Sequence, residues 1–334
     1  MAWTLHPITH FERFAAAWDR VNQAGREIPV LHSSFIAHAL REFGTGEELL
    51  AVRGAGGVED ALAVVFSKGK GAWESFQPSQ LPLGAWVMVP GLEYQDVLEE
   101  LLRCLPGAAM LVGISQQDPY LHDRPANSGI LKTLSYIDTA WVEVQGDFDS
   151  YWARRGKNLR HNMRRQRAKL ETESLGTELE VITESAQVAD AIEDYGRLES
   201  DGWKSDAGTA VHTDNAQGRF YRSMLEDFCR RRLGRIYRYR IGGKVVAMDL
   251  CIESGRVQVI LKTAYDETNR QLSPASLMRQ ESFQKVFDDA HIQRIEFYGR
   301  VMEWHTRWTD KVRTLFHVNM YRMGALRWFR EQLT

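Results

Sequence analysis

Residues 261–290 predict the end of a strand, a polar turn and an amphipathic helix in direct succession. Ser273 is a residue type that caps helices, and Pro274 suits a first helical turn because proline has no N–H group to leave unpaired there. The apolar residues behind them recur at helical spacing and indicate one buried face, formed by Leu277, Phe283, Val286 and Phe287. We expect the surrounding domain to be organised around this helix.

The turn before that helix has the composition of an anion site. Arg270 and Gln271 precede the small residues Ser273, Ala275 and Ser276. Small side chains allow an anion to approach the free N–H groups and the positive dipole end of a helix. An ordinary capped helix would explain the same residues, so the choice depends on the elements around them.

Size and composition restrict the class of protein. The chain has 334 residues, which favours two medium domains over a single large one. Hydrophobic residues make up 44% and charged residues 26%, as in soluble globular proteins. The formal net charge of −2 argues against a protein whose whole surface binds nucleic acid, although local basic patches are compatible with it.

The cysteines and the apolar segments bear on the compartment. Cys104, Cys229 and Cys251 are widely spaced and follow no metal-binding or redox pattern, so we expect buried thiols in a reducing compartment. The first residues lack the basic region and apolar run of a secretory signal. No run of about 18 apolar residues occurs. The sequence therefore favours a cytoplasmic protein without a membrane span.

The first half of the chain, residues 1–146, shows regular elements but no catalytic constellation. A Gly-rich turn, GAGG, joins two strands as a hairpin, and a serine is expected to cap the second helix. The predicted helices are 11–22, 33–43 and 96–104, and the predicted strands are 49–53, 61–68, 110–115 and 135–143. We expect this domain to support the second one or to select its substrate.

The second half, residues 147–334, begins with a basic stretch. Residues 151–170 contain eight Lys or Arg and no acid, and on a helix Lys157, Arg160, Arg164 and Arg167 form one stripe. The stripe suits phosphate, RNA or another anionic partner. It also suits a solvated face balanced by residues 171–201, which carry ten acids, and this second interpretation is favoured.

The remaining pattern predicts two helices, a three-stranded meander, the helix after Ser273 and two further strands. Gly242-Gly243 and Ser254-Gly255 are the turns of the meander. The helices are 189–200 and 218–232, and the strands are 235–241, 244–252, 257–264, 294–297 and 314–321. A polar loop containing Trp203 and Lys204 separates the two helices.

This order of elements resembles a GNAT acyltransferase domain over roughly residues 148–325. GNAT enzymes bind the pyrophosphate of acyl-CoA with a loop of the form Arg/Gln-x-x-Gly-x-Gly/Ala; Arg270 and Ala275 match it, and Ser273 stands where Gly is usual. The chain is more specifically similar to the branch named for cellulose biosynthesis (CelD/BcsL-type), which resembles the FemAB-like transferases. The segments that carry this are LESDGWK (198–204), 241–255, LKTAYDE with SPASLM (261–278) and RWTDKVR (307–313).

The resemblance implies an α+β fold of tandem GNAT-like domains, 1–146 and 147–334, each with a mixed, mainly antiparallel sheet flanked by helices. It also implies direct attack of an amine or hydroxyl on the thioester of acetyl-CoA or a longer acyl-CoA, without a metal. A backbone N–H on the strand running into Ala264 would polarise the carbonyl. The other cofactor-binding candidates are Arg270, Gln271, Ser273, Ala275 and Ser276.

The catalytic and acceptor-binding candidates follow from the same resemblance. The candidate general bases are Asp266, Glu303, His305 and Asp310, which lie near strand ends where the cleft should open. Tyr298 could return a proton to the leaving thiolate. The expected contacts of a small-molecule or glycan-like acceptor are Trp203, Lys204, Lys262, Tyr265 and Trp308.

Two other functions fit the sequence. One is FemAB-like aminoacyl transfer from charged tRNA, in which the basic stripe would hold RNA and binding would be sensitive to salt. The other is a catalytically silent GNAT-like module in a polysaccharide-synthesis assembly. The near-neutral total charge argues mildly against tRNA, and the intact strand–turn–helix order argues mildly against a silent module.

Overall fold

The computed structural model describes residues 2–200, 211 and 214–332. The chain forms two compact units, the first comprising Met1–Thr139 with Arg313–Thr334 and the second comprising Ala140–Val312. The predicted domain boundary after residue 146 remains a prediction. The strand Leu131–Glu143 runs through the division between the units, and the last strand of the chain lies almost entirely in the first unit.

The first unit is a sheet flanked by helices. Its sheet has the order β1-β2-β3-β4-β6-β13-β7, β5 pairs with β3, and β4 and β6 are parallel. The strands are β1 (Ala2–Pro7), β2 (Leu49–Ala55), β3 (Val58–Gly69), β4 (Ala72–Ser75), β5 (Trp86–Met88), β6 (Leu111–Gln117), β7 (Leu131–Glu143) and β13 (Val312–Tyr321). The helices are α1 (Ala15–Gly25), α2 (Ser33–Phe43), α3 (Tyr94–Cys104) and α10 (Gly324–Gln332).

The second unit has the sheet order β8-β9-β10-β11-β12, followed by the last residues of β7. Its strands are β8 (Thr177–Ile182), β9 (Gly234–Ile241), β10 (Lys244–Ser254), β11 (Val257–Tyr265) and β12 (Arg294–Glu296). Its helices are α4 (Phe148–Ala153), α5 (Lys157–Thr172), α6 (Val188–Ser200), α7 (Ala216–Arg230), α8 (Pro274–Asp289) and α9 (Glu303–Thr306).

The two units repeat one topology. In each, a strand is followed by two helices, three antiparallel strands, a helix and a strand parallel to the last of the three, namely β1 to β6 and β8 to β12. The predicted fold class, tandem domains of mixed and mainly antiparallel sheet flanked by helices, is confirmed. Two strands depart from their order in the chain. β13, which follows the second unit in sequence, pairs with β6, and the end of β7 pairs with β12.

The core of the second unit forms where the sequence predicted an apolar helix face. In α8, Leu277, Phe283, Val286 and Phe287 are at most 5% exposed and belong to one cluster of buried side chains. Leu159, Met163 and Leu170 of α5 lie in the same cluster. The predicted packing faces of both helices are confirmed.

Two local predictions need correction. Helix α2 has the predicted bounds, but its cap is His32, whose ring accepts a hydrogen bond from the Ser34 N–H at 3.1 Å, and no serine caps it. Of the three cysteines expected to be buried, Cys229 and Cys251 are buried and Cys104 is half-buried.

Two of the acids that follow α5 pair with strand β9, whereas Glu173 pairs with Lys169 of α5 at 3.7 Å. Arg238 of β9 binds Glu180 through two nitrogens at 2.8 Å and Asp194 at 2.6 Å. The expectation that these acids balance the basic face of α5 is therefore wrong for Glu180 and Asp194. Glu180 meets Arg238 because β8 and β9 are antiparallel neighbours, and Asp194 reaches the same guanidinium from α6.

Candidate functional site

The edge of strand β11 is only partly covered. β11 pairs with β10 over its whole length, but it pairs with β12 only through residues 257–259. Beyond Val259, residues 260–265 have no strand partner on the β12 side in the described part of the chain. The parallel strands thus separate and leave an open edge of backbone groups beside the start of α8.

Strand alternation decides which backbone groups face this open edge. The Asp266 N–H donates to the Val246 carbonyl of β10 at 2.8 Å. Because N–H groups alternate in direction along a strand, the N–H of Ala264 also faces β10, while those of Thr263 and Tyr265 face the open edge. The N–H groups directed at the open edge therefore belong to the neighbours of Ala264 and not to Ala264 itself, and the polarising role of an N–H on this strand remains a prediction.

The start of α8 offers one free N–H group. Ser273 adopts a left-handed conformation (φ 53°, ψ 51°), and its side chain makes no capping hydrogen bond, contrary to expectation. Its carbonyl accepts hydrogen bonds from the N–H groups of Ser276 at 2.9 Å and Leu277 at 3.1 Å. Pro274 has no N–H, so Ala275 carries the remaining donor of this turn. The helix start therefore has fewer free donors than the sequence suggested.

A pocket of about 310 Å³ opens between this turn and the free edge of β11. Its lining includes six of the predicted site residues, namely Tyr265, Arg270, Ser273, Ala275, Ser276 and Trp308. The others that line it are Thr263, Pro274, Arg279, Trp304 and Arg307. The predicted anion turn and two of the predicted substrate contacts thus share one pocket.

The charge of the lining is positive. Arg270, Arg279 and Arg307 line the pocket, and no acid does. Arg270 is exposed and has no side-chain partner in the described part of the chain. Arg307 forms an ion pair with Glu303 at 2.8 Å. The pocket is therefore suited to an anionic ligand.

Arg279 is the buried member of the three, with 3% exposure. Its Nη2 lies 3.2 Å from both oxygens of Asp249 and 3.0 Å from the Thr263 hydroxyl. The Trp304 ring covers the guanidinium at 4.6 Å. The Nε of Arg279 is buried without a hydrogen-bond partner. Sequence analysis missed this residue; the available signal was its position one helical turn after Ala275.

Asp266, a candidate base, caps the start of the 3-10 helix Glu267–Leu272, which precedes α8. Its carboxylate accepts hydrogen bonds from Lys244 Nζ at 2.8 Å, from the Thr268 N–H at 2.9 Å and from Asn269 Nδ2 at 2.9 Å. Burial alone would raise the pKa of Asp266, but these bonds outweigh it and hold the pKa well below its usual range. Such a carboxylate is a weak base.

His305, another candidate base, is a buried and neutral imidazole. Burial, together with the charge of Arg279, lowers the pKa of His305 to about 4. The Nδ1 of the ring accepts the Met302 N–H at 2.9 Å, and the ring stacks on Trp304 with centroids 3.5 Å apart. Its position beneath Trp304 makes it a support for the pocket wall.

The remaining candidates are dispersed. Glu303 is 84% exposed, Asp310 is exposed and Tyr298 is buried. Lys262 alternates with Thr263 and so points to the opposite face of β11, where it pairs with Glu199 at 3.2 Å.

The last two predicted positions concern Gln271 and the polar loop. The side chain of Gln271 is exposed, and its carbonyl accepts a hydrogen bond from Gln166 of α5 at 2.8 Å. Trp203 and Lys204 lie outside the described residues.

A second cavity of about 590 Å³ adjoins the pocket and shares Arg307 with it. Its lining is mostly polar and comprises Gly156, Asn158, Leu159, His161, Asn162, Glu303, Thr306 and Arg307. Glu303 thus lies beside the wall between the two cavities. Amide, imidazole and hydroxyl groups suit a ligand with several hydrogen-bonding groups.

No group of His, Cys, Asp and Glu side chains in the described residues could hold a metal ion. No helix in these residues has the length and apolar character needed to cross a membrane.

One known family model matches most of the second unit. Residues 157–306 match the model of a family described as "Acetyltransferase (GNAT) domain". This segment contains every residue that lines the pocket except Arg307 and Trp308. No curated protein matches the sequence.

Solved structures with the same fold cover nearly the whole chain. The C-terminal domain (DUF2156) of a putative lysylphosphatidylglycerol synthetase from Agrobacterium fabrum is 15% identical, with 98% of this chain and 95% of that chain covered and a TM-score of 0.61. FemX is 9% identical, with 95% and 98% covered and a TM-score of 0.57. L-PGS from Bacillus licheniformis is 12% identical, with 92% and 91% covered and a TM-score of 0.53.

These similarities show the fold, and the match to the GNAT family model concerns residues 157–306 of the second unit. The similarity to FemX agrees with the predicted resemblance to FemAB-like proteins at the level of the fold. The cellulose-biosynthesis branch remains a prediction.

Proposed function

We propose that this protein is an acyltransferase that moves an acyl group from acyl-CoA to an amine or hydroxyl acceptor. The supporting observation is the pocket between the open edge of β11 and the start of α8, which three arginines and no acid line. Its position matches the place where a GNAT domain would hold the phosphates of its donor. The corresponding helix of the first unit, α3, instead lines a cavity that contains Glu93, Asp96, Glu99 and Glu100.

The donor would lie along the pocket from its charged end to its aromatic end. Arg270, Arg307 and the Ala275 N–H can bind phosphate oxygens through charge-assisted and helix-end hydrogen bonds. The open edge of β11 can pair with the amide groups of the pantetheine arm, as an added strand would. Tyr265 and Trp308 then enclose the acyl end.

The reaction requires one bond to form and one to break. The acceptor nitrogen or oxygen attacks the thioester carbon, the C–S bond breaks with its electron pair leaving on sulfur, and the acceptor loses a proton. Of the four candidate bases, Glu303 lines the second cavity, and Asp266 is already held by four donors from three residues. We therefore assign proton acceptance to Glu303, and Tyr298 remains the candidate that protonates the thiolate.

The second cavity is the proposed acceptor site. Its amide, imidazole and hydroxyl groups suit a small polar or glycan-like molecule. A carboxylate beside the shared wall can take the proton at the moment when the acceptor reaches the donor. The composition of the chain favours a cytoplasmic enzyme, and a role in polysaccharide synthesis is part of this proposal.

The melting temperature with and without acyl-CoA tests the donor. A ligand present at about 100 times its dissociation constant stabilises the folded protein by about 2.7 kcal/mol. We expect acetyl-CoA or a longer acyl-CoA to raise the melting temperature, and Arg270→Ala and Ser273→Trp to abolish the increase. Arg256→Ala is the matched control, because Arg256 is exposed in the turn at the opposite end of β11. No increase with any acyl-CoA would overturn the proposal.

A second candidate is aminoacyl transfer from charged tRNA, which the basic face of α5 supports. Lys157 and Arg164 are exposed, whereas Arg167 of the same stripe pairs with Glu281 at 3.1 Å. This function would give tRNA binding that weakens steeply with salt and is reduced by Lys157→Glu with Arg164→Glu. Binding of acyl-CoA without salt-sensitive tRNA binding would exclude it.

A further inference from the structure

Arg279 has more hydrogen-bond donors than the protein uses. A guanidinium carries five N–H donors, and buried polar groups in folded proteins are nearly always paired. All the hydrogen bonds that Arg279 makes to Asp249 and Thr263 run through Nη2, and Nε is buried without a partner. Of the unused donors, Nη1 is the one that a ligand oxygen can reach, because Arg279 lines the pocket whereas its Nε has no accessible surface.

The pairing with Asp249 decides which kind of ligand group Arg279 would stabilise most. Asp249 is 0% exposed, and its carboxylate also accepts a hydrogen bond from the Thr263 hydroxyl. The carboxylate compensates the charge of Arg279, so the pair attracts a permanent anion weakly. A neutral carbonyl that develops negative charge during a reaction gains more, because the donors are already in place.

The position of Arg279 fits this role. Thr263, which contacts Nη2 at 3.0 Å, belongs to the open edge of β11 whose N–H groups face the pocket. The Trp304 ring lies over the guanidinium at 4.6 Å, and His305 stacks behind Trp304. These contacts fix the guanidinium before the ligand binds, as an effective charge-stabilising site requires.

We propose that Arg279 hydrogen-bonds the acyl carbonyl oxygen of the donor and stabilises the oxyanion that forms when the acceptor attacks. The assignment rests on the proposed acyl-CoA donor. In the step itself, the acceptor's lone pair adds to the carbonyl carbon and the C=O electrons move to oxygen, where Arg279 and a backbone N–H of β11 hold them. The C=O bond then reforms as the C–S bond breaks and the thiolate leaves.

Donor analogues test this without knowledge of the acceptor. S-ethyl-CoA lacks only the carbonyl oxygen of acetyl-CoA, so the full chain should bind acetyl-CoA roughly tenfold more tightly. Arg279→Met should reduce that preference to the part that the backbone N–H of β11 supplies. Isotope-edited infrared spectra of bound [1-13C]acetyl-CoA should show the carbonyl stretch at lower frequency than in water, and Arg279→Lys should return it toward the free value.

The outcomes separate the two proposals. Binding of neither compound would overturn the proposed function together with this inference. Equal binding of both compounds by the wild-type chain, with an unshifted carbonyl stretch, would overturn the role of Arg279 and leave the acyl-CoA proposal intact. Equal binding by the wild-type chain overturns the inference even if a variant fails to fold, whereas the Arg279 variants separate the guanidinium from the backbone N–H of β11. Arg270→Ala, which should weaken both compounds equally, is the control.

Discussion

Ser273 occupies a backbone position that suits glycine. Its φ of 53° lies in the left-handed region, which costs a non-glycine residue about 1–2 kcal/mol. Its side chain makes no capping hydrogen bond that would offset this cost. The strained conformation places the Ser273 carbonyl where it accepts two N–H groups of α8.

We therefore expect Ser273→Gly to stabilise the protein by up to about 1 kcal/mol, because relief of strain exceeds the added entropy of the unfolded chain. Ser273→Ala, which keeps the strain, should change stability by less than about 0.5 kcal/mol. Denaturant unfolding measures both. A Gly variant clearly less stable than the Ala variant would contradict the assigned conformation.

His305 gives the stability of the protein a specific pH dependence. Its folded pKa, about 4, lies below the value of about 6.5 expected for an unfolded chain. The contribution is therefore present above pH 6.5 and is lost as the pH falls toward 4. Between pH 7 and pH 5 the loss from this residue should be about 2 kcal/mol.

His305→Asn should reduce the fall in unfolding free energy between pH 7 and pH 5 by about that amount. Asn can still accept the Met302 N–H but cannot titrate in this range. His291→Asn is the control, since His291 is exposed. An unchanged pH dependence in His305→Asn would show that the imidazole is not held neutral.

At this scale the sequence predicts short-range features better than contacts between distant residues. Arg270, Ser273, Ala275 and Ser276 follow from the chemistry of one turn, and all four line the pocket. Arg279 could not be found in this way, because its hydrogen-bond partner Asp249 stands 30 positions earlier in the sequence.

At the scale of elements, local sequence signals predict the turns between strands but not every strand. The Gly-Gly and Ser-Gly turns correctly predict the meander of β9, β10 and β11, because such residues favour tight hairpins. Strands β1, β4, β5 and β8 were missed. β1 and β8 stand at the ends of the strand order with one partner each, and β4 and β5 have only four and three residues. The separation of β11 from β12 has no local signal, because it depends on where a three-residue strand stops.

Arg238 of strand β9 forms ion pairs whose loss should lower the free energy of unfolding. Arg238 is 12% exposed and satisfies both Glu180 and Asp194. Arg238→Gln should destabilise the protein by about 2–3 kcal/mol, because two partly buried carboxylates then lose the guanidinium that they share and keep only the exposed Arg197 and the more distant Arg240. Arg240→Gln is the matched control on the same strand face, since Arg240 approaches Glu180 only to 4.0 Å and is 28% exposed. Equal effects of the two changes in denaturant unfolding would refute this difference.

At the scale of the molecule, the last strand belongs with the first unit. β13 pairs with β6, and Leu315, Phe316, Val318 and Met320 are fully buried, the last three within the core of that unit. The sequence could not show this. Strands that follow one another in the chain are expected to pair, whereas β13 pairs with β6 and the end of β7 pairs with β12.

Phe316→Ala should therefore weaken the first unit, at a cost of about 3–5 kcal/mol. We expect amide hydrogen exchange to quicken first in β2, β3 and β6, while Phe316→Leu has a much smaller effect. Quickening confined to residues 147–312 would support instead the predicted boundary, in which 313–334 belong to the second domain.

The most direct test of the proposed function is a hydrogen-exchange map of the full chain with saturating acetyl-CoA. We expect slower exchange at the amides of Thr263, Tyr265 and Ala275 and little change in the first unit, because the donor would cover the open edge of β11 and the start of α8. Protection elsewhere, or none at a concentration that saturates binding, would contradict an acyl-CoA site in this pocket.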